Sequence, residues 1–195
     1  MTLWAVIPAK PLSEGKSRLA AALPPELRAR LNEILFRQTL DAVGAVFAAE
    51  HVMIVSRDEA LREQAMARGM VAIAEQGDGL NAALNEALPL AGQDGLLAIS
   101  TDLPGITADD VRAMLGGGPA VRIAPDRARR GTNALFVAPA GLVPFRFGEG
   151  SFLAHLAAAR NVGVEPEIVE RAGLAFDLDL PEDLKFCPPE WFAGS

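Results

Sequence analysis

Little in this chain invites covalent or redox chemistry. Cys187 is its only cysteine, so no internal disulfide can form and a disulfide-stapled secreted scaffold is excluded. A reducing, cytoplasmic setting is expected instead. Histidine is almost as scarce: His51 and His155 are the two present, and no Cys/His cluster has the spacing of a zinc site. A nucleophilic triad is equally unsupported, since His51 opens a strand-like run and Cys187 stands beside Pro188 in a proline-rich tail. Structural roles are expected for Cys187 and both histidines. The longest stretch without charge, Gly131 to Phe145, has 15 residues and carries Pro139 and Pro144, whereas a membrane span needs about 20 apolar residues. Leu3 to Ile7 is too short for the apolar region of a signal peptide and has no basic segment before it. Positive charge is in deficit as well: 18 Lys and Arg against 25 Asp and Glu give a net charge of −7. A phosphate backbone would be repelled, so a nucleic-acid binder is disfavoured. A small anion remains open where cations gather locally.

What is present suits one globular domain. The chain has 195 residues, 50% hydrophobic and 22% charged, and at this size folding buries about 70% of the surface of the unfolded chain. Leu3-Trp4-Ala5-Val6-Ile7-Pro8 reads as a buried strand. Pro24-Pro25-Glu26 then starts a helix with Leu27, Leu31, Leu35, Val43 and Val46 at helical spacing. A strand over His51 to Ser56 precedes a helix opened by Asp58 and closed at Gly69. Val71 to Ala74 is a third strand, followed by a helix from about Asn81 to Leu90. Gly95 to Ser100 repeats the strand pattern, and Thr107-Ala108-Asp109-Asp110 has capping-box form. This alternation predicts a mostly parallel sheet covered on both faces. After Gly116-Gly117-Gly118 the rhythm changes, with apolar stretches at Ala120 to Ala124 and Asn133 to Ala138 and a helix from Ser151. Val164 to Val169 and Leu174 to Leu178 are expected to be further strands.

Ligands of open parallel sheets bind at the carboxyl ends of strands, and three polar clusters fall there: Lys10 to Arg18, Ser56-Arg57-Asp58, and Ser100-Thr101-Asp102. Glu14-Gly15-Lys16-Ser17 invites a phosphate-loop reading, but that motif needs glycine where Lys10 stands, and Pro11 lies inside the loop. What survives is a cationic loop of Lys10, Lys16 and Arg18 entering a helix, placed to favour a triphosphate over solvated lysines. Asp102 ends an apolar strand and Asp177-Leu178-Asp179 supplies two more carboxylates, which in an extended segment point to one side. Such groups suit Mg²⁺, which shares its shell with substrate phosphates, although a turn aspartate and a helix cap account for the same residues. Arg122, Arg127, Arg129 and Arg130, directly before Gly131-Thr132-Asn133, are either a solvated face or a second anion pocket.

Taken in order, these residues resemble a known family. Val6-Ile7-Pro8-Ala9-Lys10-Pro11-Leu12 with Lys16-Ser17-Arg18-Leu19 is similar to the opening of the phospholactate guanylyltransferases. Gly79-Leu80-Asn81, Ser100-Thr101-Asp102-Leu103-Pro104, Gly131-Thr132-Asn133, Phe147-Gly148-Glu149-Gly150-Ser151-Phe152 and Asp177-Leu178-Asp179-Leu180-Pro181-Glu182-Asp183-Leu184 continue the match. The resemblance implies a three-layer α/β/α fold of the nucleotide-diphospho-sugar transferase type, Rossmann-like, with a mostly parallel, mixed sheet. It implies one nucleotidyltransferase domain over residues 1–195, with a GTP-binding half over about 1–115 and an acid-substrate half over about 116–195. The activity it implies joins GTP to 2-phospho-L-lactate, phosphoenolpyruvate or 3-phospho-D-glycerate and releases pyrophosphate, in deazaflavin coenzyme biosynthesis. By the same resemblance Asp102, Asp177 and Asp179 hold Mg²⁺, and Asp102, Lys16 and Arg18 carry catalysis. Pro8, Lys10, Lys16, Arg18, Ser56, Gly79, Asn81 and Ser100 line the nucleotide, while Thr132, Asn133, Gly148 and Ser151 receive the acid.

Partners implied are GTP and the acid, with a homodimer and a downstream transferase that takes over the product as further candidates. Trp191 and Phe192 mark either a dimer contact or a tail packed on its own domain. Two positions depart from the family: Arg129-Arg130 replaces a smaller glycine-containing segment, and Leu180 stands where threonine is usual, removing a helix cap worth about 1 kcal/mol. The competing readings are a molybdopterin or sugar-phosphate nucleotidyltransferase, against which Lys10-Pro11-Leu12 stands in place of a glycine-rich opening, and a nucleotide-binding regulatory domain without turnover.

Overall fold

A computed structural model describes residues 2–77, 79–118 and 120–192. Its first strand, β1 (Leu3–Pro8), is followed by a long loop and then α1 (Pro25–Gly44), with Pro25 in the first helical turn where no N–H is needed. Next come β2 (Val52–Ser56), α2 (Glu59–Met66), β3 (Val71–Ala74), α3 (Leu80–Ala91), β4 (Gly95–Ile99) and α4 (Ala108–Leu115). The remainder comprises β5 (Val121–Pro125), β6 (Thr132–Val137), α5 (Ser151–Asn161), β7 (Glu167–Ile168) and α6 (Ala172–Ala175). Local signals hold where expected. The Asp58 carboxylate accepts from Ala60 N–H at 3.0 Å, and Thr107 and Asp110 form their reciprocal box, with Thr107 N–H donating to Asp110 Oδ2 at 3.0 Å.

The seven strands lie in the order β3-β2-β1-β4-β6-β5-β7. Strands β1 to β4 pair in parallel, as do β5 and β7, whereas β6 runs antiparallel to both β4 and β5. Alternate residues of each strand feed opposite faces, as the pleat requires. Ala5, Ile7, Ile54 and Leu97 meet Phe36, Leu40, Leu61, Val111 and Met114 of α1, α2 and α4. Val6, Met53, Val55 and Ala98 meet Ala83, Leu84, Ala87, Phe152 and Ala159 of α3 and α5. The result is the three-layer α/β/α arrangement. No helix among the described residues is long and apolar enough to cross a membrane.

Two expectations are corrected. Residues 174–178 are not a strand: α6 takes one helical turn through Ala175, and Leu178 N–H then donates to the carbonyl of Asp102 at 2.9 Å. That single bond lays the segment across the end of the sheet instead of into a ladder. The Lys10–Arg18 loop also enters no helix; Ser17–Leu19 is one short 3-10 turn, so no helix dipole acts at that loop. Its departure from helix follows from Lys16, which takes the left-handed conformation at φ 57°.

A third apolar cluster, Leu19, Leu23, Leu31, Leu35, Leu178 and Cys187, joins the cationic loop, α1 and the acidic segment. Trp191 and Phe192 pack against it, so this part of the tail is seated on its own chain.

Candidate active site

The loop after β1 is built to present one lysine. Leu12 N–H donates to Asp58 Oδ2 at 3.2 Å, and Asn32 of α1 donates from Nδ2 to the Leu12 carbonyl at 2.7 Å. Gly15 passes so near α1 that a Cβ there would stand 2.5 Å from Asn32 Nδ2. A side chain at that position would push the loop outward. Thus held, Lys16 extends its Nζ to 3.4 Å from both Asp102 Oδ2 and Asp179 Oδ1, with its side chain only 7% exposed. Arg18 Nη1 lies 3.2 Å from the other oxygen of Asp179 and is largely in solvent.

Asp102 follows β4, and its carboxylate accepts from Ser100 Oγ at 2.7 Å. Burial alone would raise its pKa, but the Lys16 ammonium and the Ser100 hydroxyl outweigh that and hold it below the usual carboxylate range. Asp177 behaves oppositely. Burial first, then the charges of Asp102, Asp179 and Asp126, push it up to about 6. Asp183 anchors the acidic segment instead: its Oδ2 accepts from Asp179 N–H at 3.0 Å and Leu180 N–H at 2.8 Å.

These groups open onto a cleft of about 780 Å³ across the carboxyl ends of the first four strands. It brings together Pro8, Lys10, Lys16, Arg18, Gly79, Asn81, Ser100, Asp102, Gly148 and Asp179, all expected at the site. Ser56 is not brought there. It is fully buried, and its Oγ accepts from Asp58 N–H at 3.1 Å to shape the turn after β2. Arg57 takes its place on the cleft wall, pairing with Glu14 at 2.9 Å and with Glu75 at 3.5 Å. Asn81 lines the cleft, yet its amide is engaged both ways with the backbone of Phe147, receiving Phe147 N–H at 2.8 Å and donating to its carbonyl at 3.0 Å. It clamps the loop before α5 onto α3.

Thr132, Asn133, Ser151 and Asp177 do not line the cleft itself. Thr132 Oγ1 lies 2.9 Å from His155 Nδ1, and Asn133 donates from Nδ2 to the Leu174 carbonyl at 2.8 Å. Ser151 Oγ is buried without a hydrogen-bond partner. Gly148 and Gly150 both take positive φ, at 124° and 72°, to turn the chain into α5. Of the basic run, Arg122 is buried against Glu167, Arg127 pairs with Asp183 at 3.1 Å and stacks 4.3 Å over Phe176, and Arg129 pairs with Glu170. The run is therefore mostly neutralised locally, and no single anion pocket is made of it. Cys187 is buried with its thiol pushed up to about 11, by burial first and Asp183 second, which leaves a poor nucleophile. Arg57 belongs to the Ser56-Arg57-Asp58 cluster expected at a strand end; the clamping role of Asn81 and the contacts of His155 left no local signal, because each depends on segments far apart in the chain.

Among the described residues no three His, Cys, Asp or Glu side chains converge as a metal-ligating group. The donors nevertheless fit a hard cation that completes its shell from phosphate oxygens, because Mg²⁺ commonly uses only one or two carboxylates. Burial first, and repulsion from Asp102 and Asp179 second, disfavour the charged form of Asp177, and such a cation would offset both.

Residues 3–187 match the family described as Guanylyl transferase CofC like. The chain belongs to this guanylyl transferase family. Among its relatives, the phosphoenolpyruvate guanylyltransferase of Rubrobacter xylanophilus is 45% identical over 94% of this chain and 92% of that one. That of Sphaerobacter thermophilus is 41% identical over 95% and 92%. The 2-phospho-L-lactate guanylyltransferase of Methanocaldococcus infernus is 32% identical over 92% and 81%. In fold, the chain is similar to a nucleotide-diphospho-sugar transferase structure from Desulfovibrio desulfuricans, with a TM-score of 0.78 at 19% identity over 94% and 85% of the two chains. It is also similar to glucosyl-3-phosphoglycerate synthase of Mycobacterium tuberculosis, solved with Mn²⁺, UDP-glucose and glycerol 3-phosphate, with a TM-score of 0.65 at 15% identity over 95% and 75%. The guanylyl transferase family and the nucleotide-diphospho-sugar transferase fold thus agree with the ordered motifs.

Proposed function

We propose that this chain transfers a guanylyl group from GTP to the phosphate of a small phosphorylated carboxylic acid. Phosphoenolpyruvate is the first candidate, as the acid named for the two relatives above 40% identity. 2-Phospho-L-lactate and 3-phospho-D-glycerate are the others, and the product would pass to a downstream transferase of deazaflavin coenzyme assembly. The observation that carries the reading is Lys16, whose ammonium stands between Asp102 and Asp179 at the carboxyl end of β4.

One phosphate oxygen of the acid attacks the α-phosphorus of GTP, the bond to the β-phosphate oxygen breaks, and pyrophosphate leaves. A phosphate monoester, with a second pKa of about 6, is already largely dianionic at neutral pH. No general base is required, in keeping with a cleft that histidine does not line. The work of the residues is alignment and charge compensation. Lys10, Lys16 and Arg18 face the triphosphate, the backbone of Gly79 to Asn81 borders the nucleoside, and the acid is received at the Gly148 edge of the cleft, where Thr132 and Ser151 lie beneath the surface and are reached once the acid enters; Asn133 ties β6 to α6 through the Leu174 carbonyl. Asp102, Asp177 and Asp179 would hold Mg²⁺, which when bound offsets charge on the reacting phosphates. The first half of the chain, to about residue 115, then serves GTP and the second serves the acid. Purified protein with Mg²⁺, GTP and each acid in turn is expected to release pyrophosphate; release no higher than a blank for all three acids refutes the reading.

A further inference from the structure

The most deeply buried titratable side chain near the acid-binding residues is one that the transfer itself does not use. His155 lies on α5 and exposes none of its surface, yet both ring nitrogens are engaged. Nε2 is 3.0 Å from the backbone nitrogen of Arg146, and Nδ1 is 2.9 Å from Thr132 Oγ1. A backbone N–H can only donate, so Nε2 holds a lone pair and the neutral ring carries its proton on Nδ1. That proton is donated to Thr132 Oγ1. The hydroxyl hydrogen of Thr132 is then left for another acceptor, and none is found among the described residues. An anion can only accept.

We infer that His155 is a positioning residue for the acid substrate, fixing Thr132 as a hydroxyl donor and holding the loop before α5 through the amide of Arg146. This role rests on the reading above that Thr132 meets the acid. Several observations converge on it. The Phe147 ring packs edge-on against the imidazole at 5.0 Å, while the Phe147 backbone is clamped from the other side by Asn81. His155 therefore grips the strand that presents Thr132 and the loop that leads to Gly148 together. Ser151, one turn earlier on α5, is a second buried hydroxyl with no partner for its hydrogen. Burial first, and the charge of Arg146 second, bring the imidazole down to about 4, so the ring stays neutral throughout the neutral range, and the Arg146 N–H selects its tautomer.

Two half-replacements separate the functions of the ring. His155→Asn keeps an N–H near the place of Nδ1 and loses the acceptor for Arg146; His155→Gln keeps an acceptor near Nε2 and loses the donor to Thr132. Steady-state kinetics with each substrate varied should show KM for the acid raised about tenfold in the Gln variant, the worth of one hydrogen bond to a charged group. KM for GTP should stay within about twofold, and the Asn variant should retain more acid affinity than the Gln variant. Equal rises in both KM values, or no change in the acid's, overturn the assignment. Should the Gln variant not fold, nitrogen-15 NMR of histidine-labelled unmodified protein decides. A protonated Nδ1 whose signal moves on adding the acid with GTP already bound supports the role, and a protonated Nε2 or an unmoved signal overturns it. An unmodified chain that turns over none of the acids would instead sink the proposed function, a separate outcome.

Discussion

Acidification provides a direct test of how His155 is held. Its folded pKa of about 4 lies well below the ordinary 6.5. Above pH 6.5 the imidazole is neutral in both folded and unfolded chains, and its titration adds nothing to stability. Below that value the unfolded chain takes up a proton that the folded one refuses, so stability is lost progressively until about pH 4. At about 1.4 kcal/mol per pH unit, a loss on the order of 3 kcal/mol follows from these two values. Asp177 obscures this in the unmodified protein. Its folded pKa, raised to about 6, makes the folded chain bind a proton before the unfolded one, and stability is gained over nearly the same range. Subtraction removes it. Urea denaturation from pH 7.5 to 4.5 should be run on the unmodified chain and on His155→Gln, which does not titrate there, and the difference in unfolding free energy plotted against pH. Over this range the gap is expected to narrow by roughly 2–3 kcal/mol as pH falls. A gap independent of pH would show that the imidazole is not held neutral, and the tautomer argument would fall with it.

Four further outcomes can be checked. Asp102→Asn should cut pyrophosphate release by at least about a hundredfold while circular dichroism and melting remain those of a folded chain, since it removes charge from the point where Lys16 and Ser100 converge; near-normal turnover would remove Asp102 from the site. Leu178→Ala should cost about 2–5 kcal/mol of stability by urea denaturation, because the side chain is fully buried in the cluster that seats the acidic segment, and should lower kcat as well. Asn81→Ala breaks both hydrogen bonds to Phe147 and is expected to raise KM for GTP and acid together in steady-state assays, with about 1–3 kcal/mol lost in stability. Chelation of divalent cations should abolish pyrophosphate release and added Mg²⁺ restore it; undiminished turnover in chelator would exclude a metal at the carboxylates.

How far these features could be read in advance depends on the range of the interactions that set them. The first four strands and the helices between them follow from apolar runs bounded by caps such as Asp58 and the Thr107–Asp110 box, all of which act within a few residues. The insertion of β6 between β4 and β5 is decided by pairing between distant segments, and nothing local in Thr132–Val137 announces its direction. Residues 174–178 have the composition of a strand, but the Asp102 carbonyl captures Leu178 N–H before a ladder can form. At the candidate site, the sequence names Lys16, Asp102 and Asp179 separately, and the structure adds that the Lys16 ammonium lies within 3.4 Å of both carboxylates. Ser56, at the end of β2, is buried and does not line the cleft. A small hydroxyl at a strand end serves a turn as readily as a ligand, and here Asp58 N–H claims it. Arg122 belongs to a basic run in the sequence, but in β5 its guanidinium donates from Nε to Glu167 Oε2 at 2.9 Å.

The charge pattern explains how an acidic chain can accept two anions. Negative charge dominates overall, but within the cleft it is already matched: Lys16 is shared by Asp102 and Asp179, and Arg18 covers the second oxygen of Asp179. A triphosphate arriving alone must compete with those carboxylates for Lys16. When another cation neutralises Asp102 and Asp179, the ammonium is released toward phosphate without leaving a buried carboxylate unpaired, a loss that would otherwise be costly. GTP and a divalent cation should therefore each bind more tightly in the presence of the other, and by linkage the gain is the same in both directions. Lys10, on the cleft wall, forms no ion pair among the described residues, so an anion can meet it without displacing a partner. On this account the net charge of −7 does not obstruct the chemistry, because the cations that an anion meets are either unpaired or exchangeable.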